Sequence, residues 1–233
     1  MANRRTIITY VCTLLIGSSV GAGIDVWAAH EYRTGRAREV QLAGTDVLPY
    51  TAPHTGVLRL AVLNTQTNAA AAVDAVAGPG SLEDTAPASQ VDDDAVRVSI
   101  AAARTVASAL AGRDVSRADV IVEADMSGPS AGLAYTLAIA DAATPGRLVD
   151  PAHPIAATGQ IGAEGDVMAV GGYDAKFAAA RRAGAELILA PPGVPGDVAA
   201  QHADLYVPVG SISEAVAALC RRGSDDAMCV EAE

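Results

Sequence analysis

The chain reads as an α+β layered domain preceded by one N-terminal membrane-spanning helix. Three observations predict this. Short β-branched runs and helical stretches with one apolar face follow one another without a strict strand–helix–strand rhythm. A length of 233 residues with 51% apolar content supplies one ordinary core and little beyond it. Residues 6–24 carry no charge, a run long enough to cross a bilayer and longer than the apolar stretch of most cleaved leaders.

Only five residues, Arg4 and Arg5 among them, precede the uncharged run, which favours a cytoplasmic N-terminus and a globular domain outside. Arg33, Arg36 and Arg38 on the other side weaken that charge bias. Val26-Trp27-Ala28 is a small-residue cleavage pattern, so a secreted, processed form is the alternative to a signal anchor over 1–28. Residues 29–54 are polar and end in Pro49 and Pro53, which reads as a linker. Residues 56–65, rich in Val and Leu, predict the first strand. Residues 69–88 are Ala, Gly and Pro without pattern, a loop or loose hairpin.

Asp92, Asp93 and Asp94 then place three carboxylates where a helix dipole favours them. Val96, Ile100, Ala103, Ala107 and Leu110 mark one face of that helix, which runs to about Ala111 before Gly112. Residues 118–124 are a β-branched strand. Residues 131–143 are almost wholly apolar, a helix buried nearly all round with Ser130 at its first turn. Residues 155–161 and 166–170 read as two short strands around the turn 162–165. A helix over 174–183, closed by Gly184, strands over 187–190 and 205–209, and a last helix over 212–219 complete the domain, set at 55–220 with a tail over 221–233.

A net charge of −11 argues against nucleic acid as a partner, because phosphate binding needs a basic face. His30, His54, His153 and His202 are scattered without metal-ligand spacing, so no metal is expected. Cys220 and Cys229 bracket a short polar loop where a disulfide could form in an oxidising compartment; two free thiols are the alternative.

Lys176 is the only lysine; the other 15 basic side chains are arginine. Guanidinium is never deprotonated in a protein, whereas a desolvated ammonium can lose its proton near neutral pH. Lys176 follows Gly171-Gly172 and enters an alanine-rich stretch where burial would lower its pKa, which suggests a neutral amine acting as a base. A second constellation is Gly128-Pro129-Ser130-Ala131-Gly132. Small neighbours let the backbone turn sharply, and a helix N-terminus offers unpaired amides to an oxyanion. Ser130 could instead merely cap the helix. G-x-S-x-G also fits the hydrolase nucleophile elbow, with Asp174 or Asp197 and His202 as partners, but no Gly-rich oxyanion loop precedes it. Lysine can serve as the base of such a serine.

From about residue 55 to 219 the chain resembles the proteolytic domain of Lon proteases, and is especially similar to bacterial membrane-anchored Lon-like proteins. The matching pieces are the strand 56–63, the helix from Asp93, Ser127-Gly128-Pro129-Ser130-Ala131-Gly132-Leu133, Thr158-Gly159-Gln160-Ile161 with Gly165 and Val167, Gly171-Gly172 with Lys176, and Arg182-Ala183-Gly184-Ala185 before an apolar strand ending in Pro191. The resemblance implies a ribosomal protein S5 domain 2-like fold, Ser130 as nucleophile, Lys176 as general base and Thr158 as the residue that orients the lysine amine. It also implies polypeptide substrates and a hexameric ring. Many relatives carry an aspartate where Ser127 stands.

The chain has no G-x-x-x-x-G-K-[ST] loop, and 29–54 is too short for the PDZ domain of the anchored relatives. The expectation is therefore an ATP-independent, membrane-anchored serine endopeptidase, with no nucleotide or cofactor, acting outside the cytoplasm on unfolded chains or short peptides. The rival readings are a catalytically silent, membrane-tethered binding module and an α/β-hydrolase-type esterase.

Overall fold

The computed structural model describes residues 33–43, 45–51, 54–64, 85–87, 93–123 and 127–230. The chain divides into two units, Met1–Arg33 with Asn64–Gly80, and Thr34–Leu63 with Ser81–Glu233. Of the first, only Arg33 and Asn64 are described, and the architecture below is that of the second. No described helix is long and apolar enough to cross a membrane. The uncharged run 6–24 lies outside the described residues.

Strand sequences with apolar residues at consecutive positions need cover on both faces, and the inner strands of the main sheet are of this kind. Strands β1 (Arg33–Glu39), β3 (Val57–Asn64), β6 (Ile155–Ala157), β9 (Leu187–Ala190) and β10 (Tyr206–Pro208) lie side by side in the order β1-β3-β6-β9-β10. From β3 onward the neighbours are parallel, with Val57 opposite Ile155, Ala156 opposite Ile188 and Tyr206 opposite Ile188. A smaller antiparallel sheet joins β2 (Gln41–Ala43), β5 (Asp119–Glu123) and β4 (Thr85–Pro87) in the order β2-β5-β4. A short hairpin pairs β7 (Gln160–Ile161) with β8 (Val167–Met168).

Successive strand residues point to opposite faces, and the two cores follow that alternation. Val57, Ala157, Leu187 and Leu189 pack with helices α1 (Asp94–Ala111) and α2 (Gly132–Ala143) on one face. Leu60, Ala156, Ile188 and Ala190 pack with Phe177 and Ala180 of α3 (Tyr173–Arg182) and Val198 of α4 (Gly196–Gln201) on the other. The described residues thus form a mixed α/β layered fold.

Local chemistry sets the helix ends. The Asp93 carboxylate accepts from the Ala95 and Val96 amides at 2.8 and 3.1 Å, capping α1, and Gly112 closes it with φ of 61°. Of its predicted face, Val96, Ile100, Ala103 and Ala107 are buried, and Leu110 is half-buried. Every residue of α2 is buried except half-buried Asp141, whose carboxylate accepts from the Leu148 and Val149 amides.

Three readings of the sequence need correction. Residues 33–43 are not linker: β1 forms an edge of the main sheet and β2 pairs with β5. Arg-Thr-Gly-Arg-Ala-Arg-Glu shows no apolar alternation, and residues 35–39 of this edge strand are each only half-buried. Within the segment read as a loop or loose hairpin, β4 is a strand whose partner is β5 rather than a neighbour in the same segment, while residues 65–84 lie outside the described residues. The single strand read over 155–161 is broken into β6 and β7 at Thr158-Gly159, where Gly159 takes φ of 155°.

Beyond the last long helix, α5 (Ile212–Cys220), the tail folds back and ends in α6 (Ala227–Val230). Cys220 and Cys229 are joined by a disulfide with a Cα–Cα distance of 5.3 Å. The loop it closes inserts Asp226, fully buried, beneath the end of α2, where its carboxylate accepts from the Thr144 hydroxyl at 2.7 Å. The Ala227 amide donates to the Pro145 carbonyl and the Arg147 amide to the Asp225 carboxylate, both at 2.9 Å. Closing so short a loop restricts the unfolded chain by about 2–3 kcal/mol. Thermal unfolding with and without dithiothreitol is therefore expected to differ by roughly 5–10 °C, the reduced protein melting lower.

Candidate active site

Ser130 lies just before α2, which is built to be fully enclosed, so the loop leading into it is fixed by its surroundings. Ala131, not Ser130, occupies the helix cap position, and no side chain caps α2. The Ser130 carbonyl accepts two bonds from the break between β6 and β7: the Gly159 amide at 2.8 Å and the Thr158 hydroxyl at 3.1 Å. The Leu133 amide returns a bond to the Gly159 carbonyl at 3.0 Å. One residue earlier, the Pro129 carbonyl accepts from the Ser99 hydroxyl of α1 at 3.1 Å and from the Gly132 amide at 3.2 Å. Ser130 is half-buried and Ser127 exposed.

Thr158 follows directly on the central strand β6 and is completely buried. Its amide donates to the Leu189 carbonyl of β9 at 3.0 Å. Its hydroxyl proton goes to the Ser130 carbonyl, so the partner in this structure is the serine's backbone rather than the lysine amine. The lone pairs of that hydroxyl remain able to accept.

Lys176 stands on the opposite face of the sheet, on α3. The entry to this helix is forced by Gly172, whose φ of 69° disfavours side chains and whose α-carbon lies so near Val62 that an added β-carbon would sit 2.3 Å from its Cγ2. Val62 lies towards the C-terminal end of β3, the parallel neighbour of β6. The start of α3 and the Ser130 loop therefore occupy the same edge of the sheet, at the C-terminal ends of adjacent strands, where α/β sheets hold ligands. A further contact sets the first turn of α3: a β-carbon on Gly35 of β1 would lie 1.9 Å from the Ala175 carbonyl oxygen.

The Lys176 side chain is 2% exposed. Burial alone brings its pKa down to about 8, with no carboxylate opposing the shift. Among the described residues neither the Lys176 amine nor the Ser130 hydroxyl has a hydrogen-bond partner. Catalytic bonds are often long before substrate binds. His202 is committed elsewhere: it packs edge-on against Phe177 and its Nδ1 accepts from Arg181 at 3.4 Å. No cluster of metal-ligating side chains occurs among the described residues.

A family model for the C-terminal proteolytic domain of the S16 Lon proteases matches residues 72–203, more than half of the chain. The protein belongs to the Lon protease family. The Lon match spans Ser130, Thr158 and Lys176, and no ATPase or PDZ domain is matched. Membership in the Lon family makes serine peptidase the class of its activity. No curated protein matches the chain. Ser99, which bonds the Ser130 loop, and Gly35, which packs against Ala175 beside Lys176, escaped the sequence reading. The signal available for Ser99 was a polar residue set three positions after Val96 on the apolar face of α1.

Proposed function

We propose that the protein is a membrane-anchored serine endopeptidase that works without ATP, with Ser130 as nucleophile and Lys176 as general base. The observation that carries the reading is the buried lysine. In a chain of a serine peptidase family, the only lysine sits out of water with its pKa brought to about 8. About one amine in ten is then neutral at pH 7. That amine takes the Ser130 hydroxyl proton as Oγ attacks the peptide carbonyl, and backbone amides of the loop 128–132 receive the oxyanion. The protonated lysine gives its proton to the leaving amine. Water, deprotonated by the same lysine, then releases the acyl group and restores Ser130. The free lone pairs of Thr158 accept from the lysine amine and aim it.

Residues 6–24 anchor the chain in the cell membrane and the proteolytic domain lies outside the cytoplasm, assembled in a hexameric ring. Substrates are unfolded chains or short peptides, since the chain carries no nucleotide-binding loop of its own.

The test uses the full-length protein in detergent, without ATP, from pH 6 to 10. Unfolded casein is expected to be cleaved, with the rate rising about tenfold per pH unit below 8 and levelling above it, because only the neutral amine acts as base. A fluorophosphonate is expected to mass-label Ser130. Folded protein that neither cleaves casein nor takes the label overturns the reading, and unaided degradation of a stably folded protein overturns the substrate assignment.

A further inference from the structure

Two peptide planes meet at Ser130, and each is fixed through its carbonyl. Among the described residues there are no cis peptide bonds, so in each plane the N–H points opposite to the C=O. The plane joining Pro129 to Ser130 is held by the Ser99 hydroxyl and the Gly132 amide on the Pro129 oxygen, at 3.1 and 3.2 Å. The plane joining Ser130 to Ala131 is held by the Gly159 amide and the Thr158 hydroxyl on the Ser130 oxygen, at 2.8 and 3.1 Å. Anchoring the oxygens turns the Ser130 and Ala131 N–H groups away from α1 and from the β6–β7 break.

Three of the four anchors need no further explanation, because the residues donating them are themselves part of the loop or of the strand break beside it. Ser99 is different. It is a buried serine on a face otherwise made of Val96, Ile100, Ala103, Val106 and Ala107, 3% exposed, and its hydroxyl is spent on one carbonyl 30 residues away. The fit around that bond is tight. A β-carbon on Gly132 would lie 3.0 Å from Ser99 Oγ and 2.9 Å from the Ile161 amide nitrogen. The start of α2 is thus clamped between α1 and β7, leaving the Pro129–Ser130 plane little freedom to rotate.

We propose that Ser99 is a positioning residue that aims the Ser130 backbone N–H at the oxyanion of the tetrahedral intermediate. The inference rests on Ser130 being the nucleophile and adds how its own amide is oriented. Ser99 touches neither substrate nor Lys176 amine in this role. Its loss lets the peptide plane rotate, which weakens a bond made in the transition state and leaves substrate binding and the base unaffected.

The experiment measures casein-derived peptide hydrolysis and inhibition by a peptide boronate, whose tetrahedral adduct carries the oxyanion, for the full-length wild type, Ser99→Ala, Ser99→Cys and Ser130→Ala. Ser99→Ala is expected to lower kcat roughly 10- to 100-fold, with KM changed less than about twofold and the pH midpoint near 8 unmoved. Boronate affinity is expected to fall by the same factor as kcat/KM. Ser99→Cys, nearly the same size with a weak donor, is expected to fall between the two. If Ser99→Ala does not fold, Ser99→Cys carries the same comparison. Should Ser130→Ala be inert while the Ser99 variants match wild type within twofold, or lose kcat/KM and boronate affinity by unequal factors, the positioning role fails alone. Should Ser130→Ala keep its hydrolysis, the nucleophile assignment fails and this inference with it.

Discussion

A full-length Lys176→Met variant is expected to lose hydrolysis by about a thousandfold while melting at a higher temperature than the parent protein at pH 7. The first effect follows from the role proposed for Lys176 as general base. Ser130→Ala is expected to lose no less, and the double variant no more than either alone, since the two groups act as one unit. The second effect follows from burial. The folded lysine releases its proton near pH 8 and the unfolded one near 10.5. Below pH 8 both states are protonated, and the fold bears the full cost of an ammonium out of water. Between 8 and 10.5 the unfolded chain binds more protons, so stability rises with pH across that window. The cost at neutral pH is about 3 kcal/mol, and methionine fills a similar volume without it. The expected rise in Tm is roughly 5–10 °C at pH 7, and it shrinks as the comparison moves to pH 10. A variant that melts no higher at pH 7 would show that the amine is not desolvated as described.

The other large effect concerns a glycine far in sequence from Ser130 and Lys176 but packed beside the latter. Gly35→Val places a branched side chain where even a β-carbon would come within 1.9 Å of the Ala175 carbonyl oxygen, with Ala179 Cβ 3.0 Å away. Backbone cannot yield as a flexible side chain does, so either β1 leaves the sheet edge or α3 shifts and carries Lys176 with it. The expected loss is about 3 kcal/mol of stability and at least about tenfold in kcat, because sub-ångström placement of the base governs rate. Urea unfolding and peptide hydrolysis measure the two. Unchanged kcat in a folded Gly35→Val protein would separate β1 from the site.

How far the molecule could be read from its residues follows from where each constraint lies. The helix α1 was legible because its signals are local: aspartates at its start, an apolar face at spacings of three and four, Gly112 at its end. The burial of Lys176 was legible from Ala175, Phe177 and the alanines after them. The Lon resemblance rested on ordered motifs, and the family match covers most of them. Strand β1 was not legible, since it is held by pairing with β3 and by packing against a helix some 140 residues later, while its own sequence is polar. Nor was the break after β6, where the strand stops because the Gly159 amide and Thr158 hydroxyl turn to the Ser130 carbonyl. Local patterns encode elements; partners distant in sequence decide where those elements end.

The placement of β1 also bears on when the enzyme can become active. Gly35 accepts a bond from Arg182, 147 residues further along the chain, and Thr158 depends on a carbonyl of β9. A chain still being synthesised has the serine loop long before it has the strand that steadies Thr158 or the helix that carries the base. Folding dominated by such distant pairings proceeds in roughly milliseconds to seconds, after the last strand has been made. With Ser130 and Lys176 in their proposed roles, a chain that ends before α3 and β9 has its nucleophile but neither its base nor a fixed Thr158.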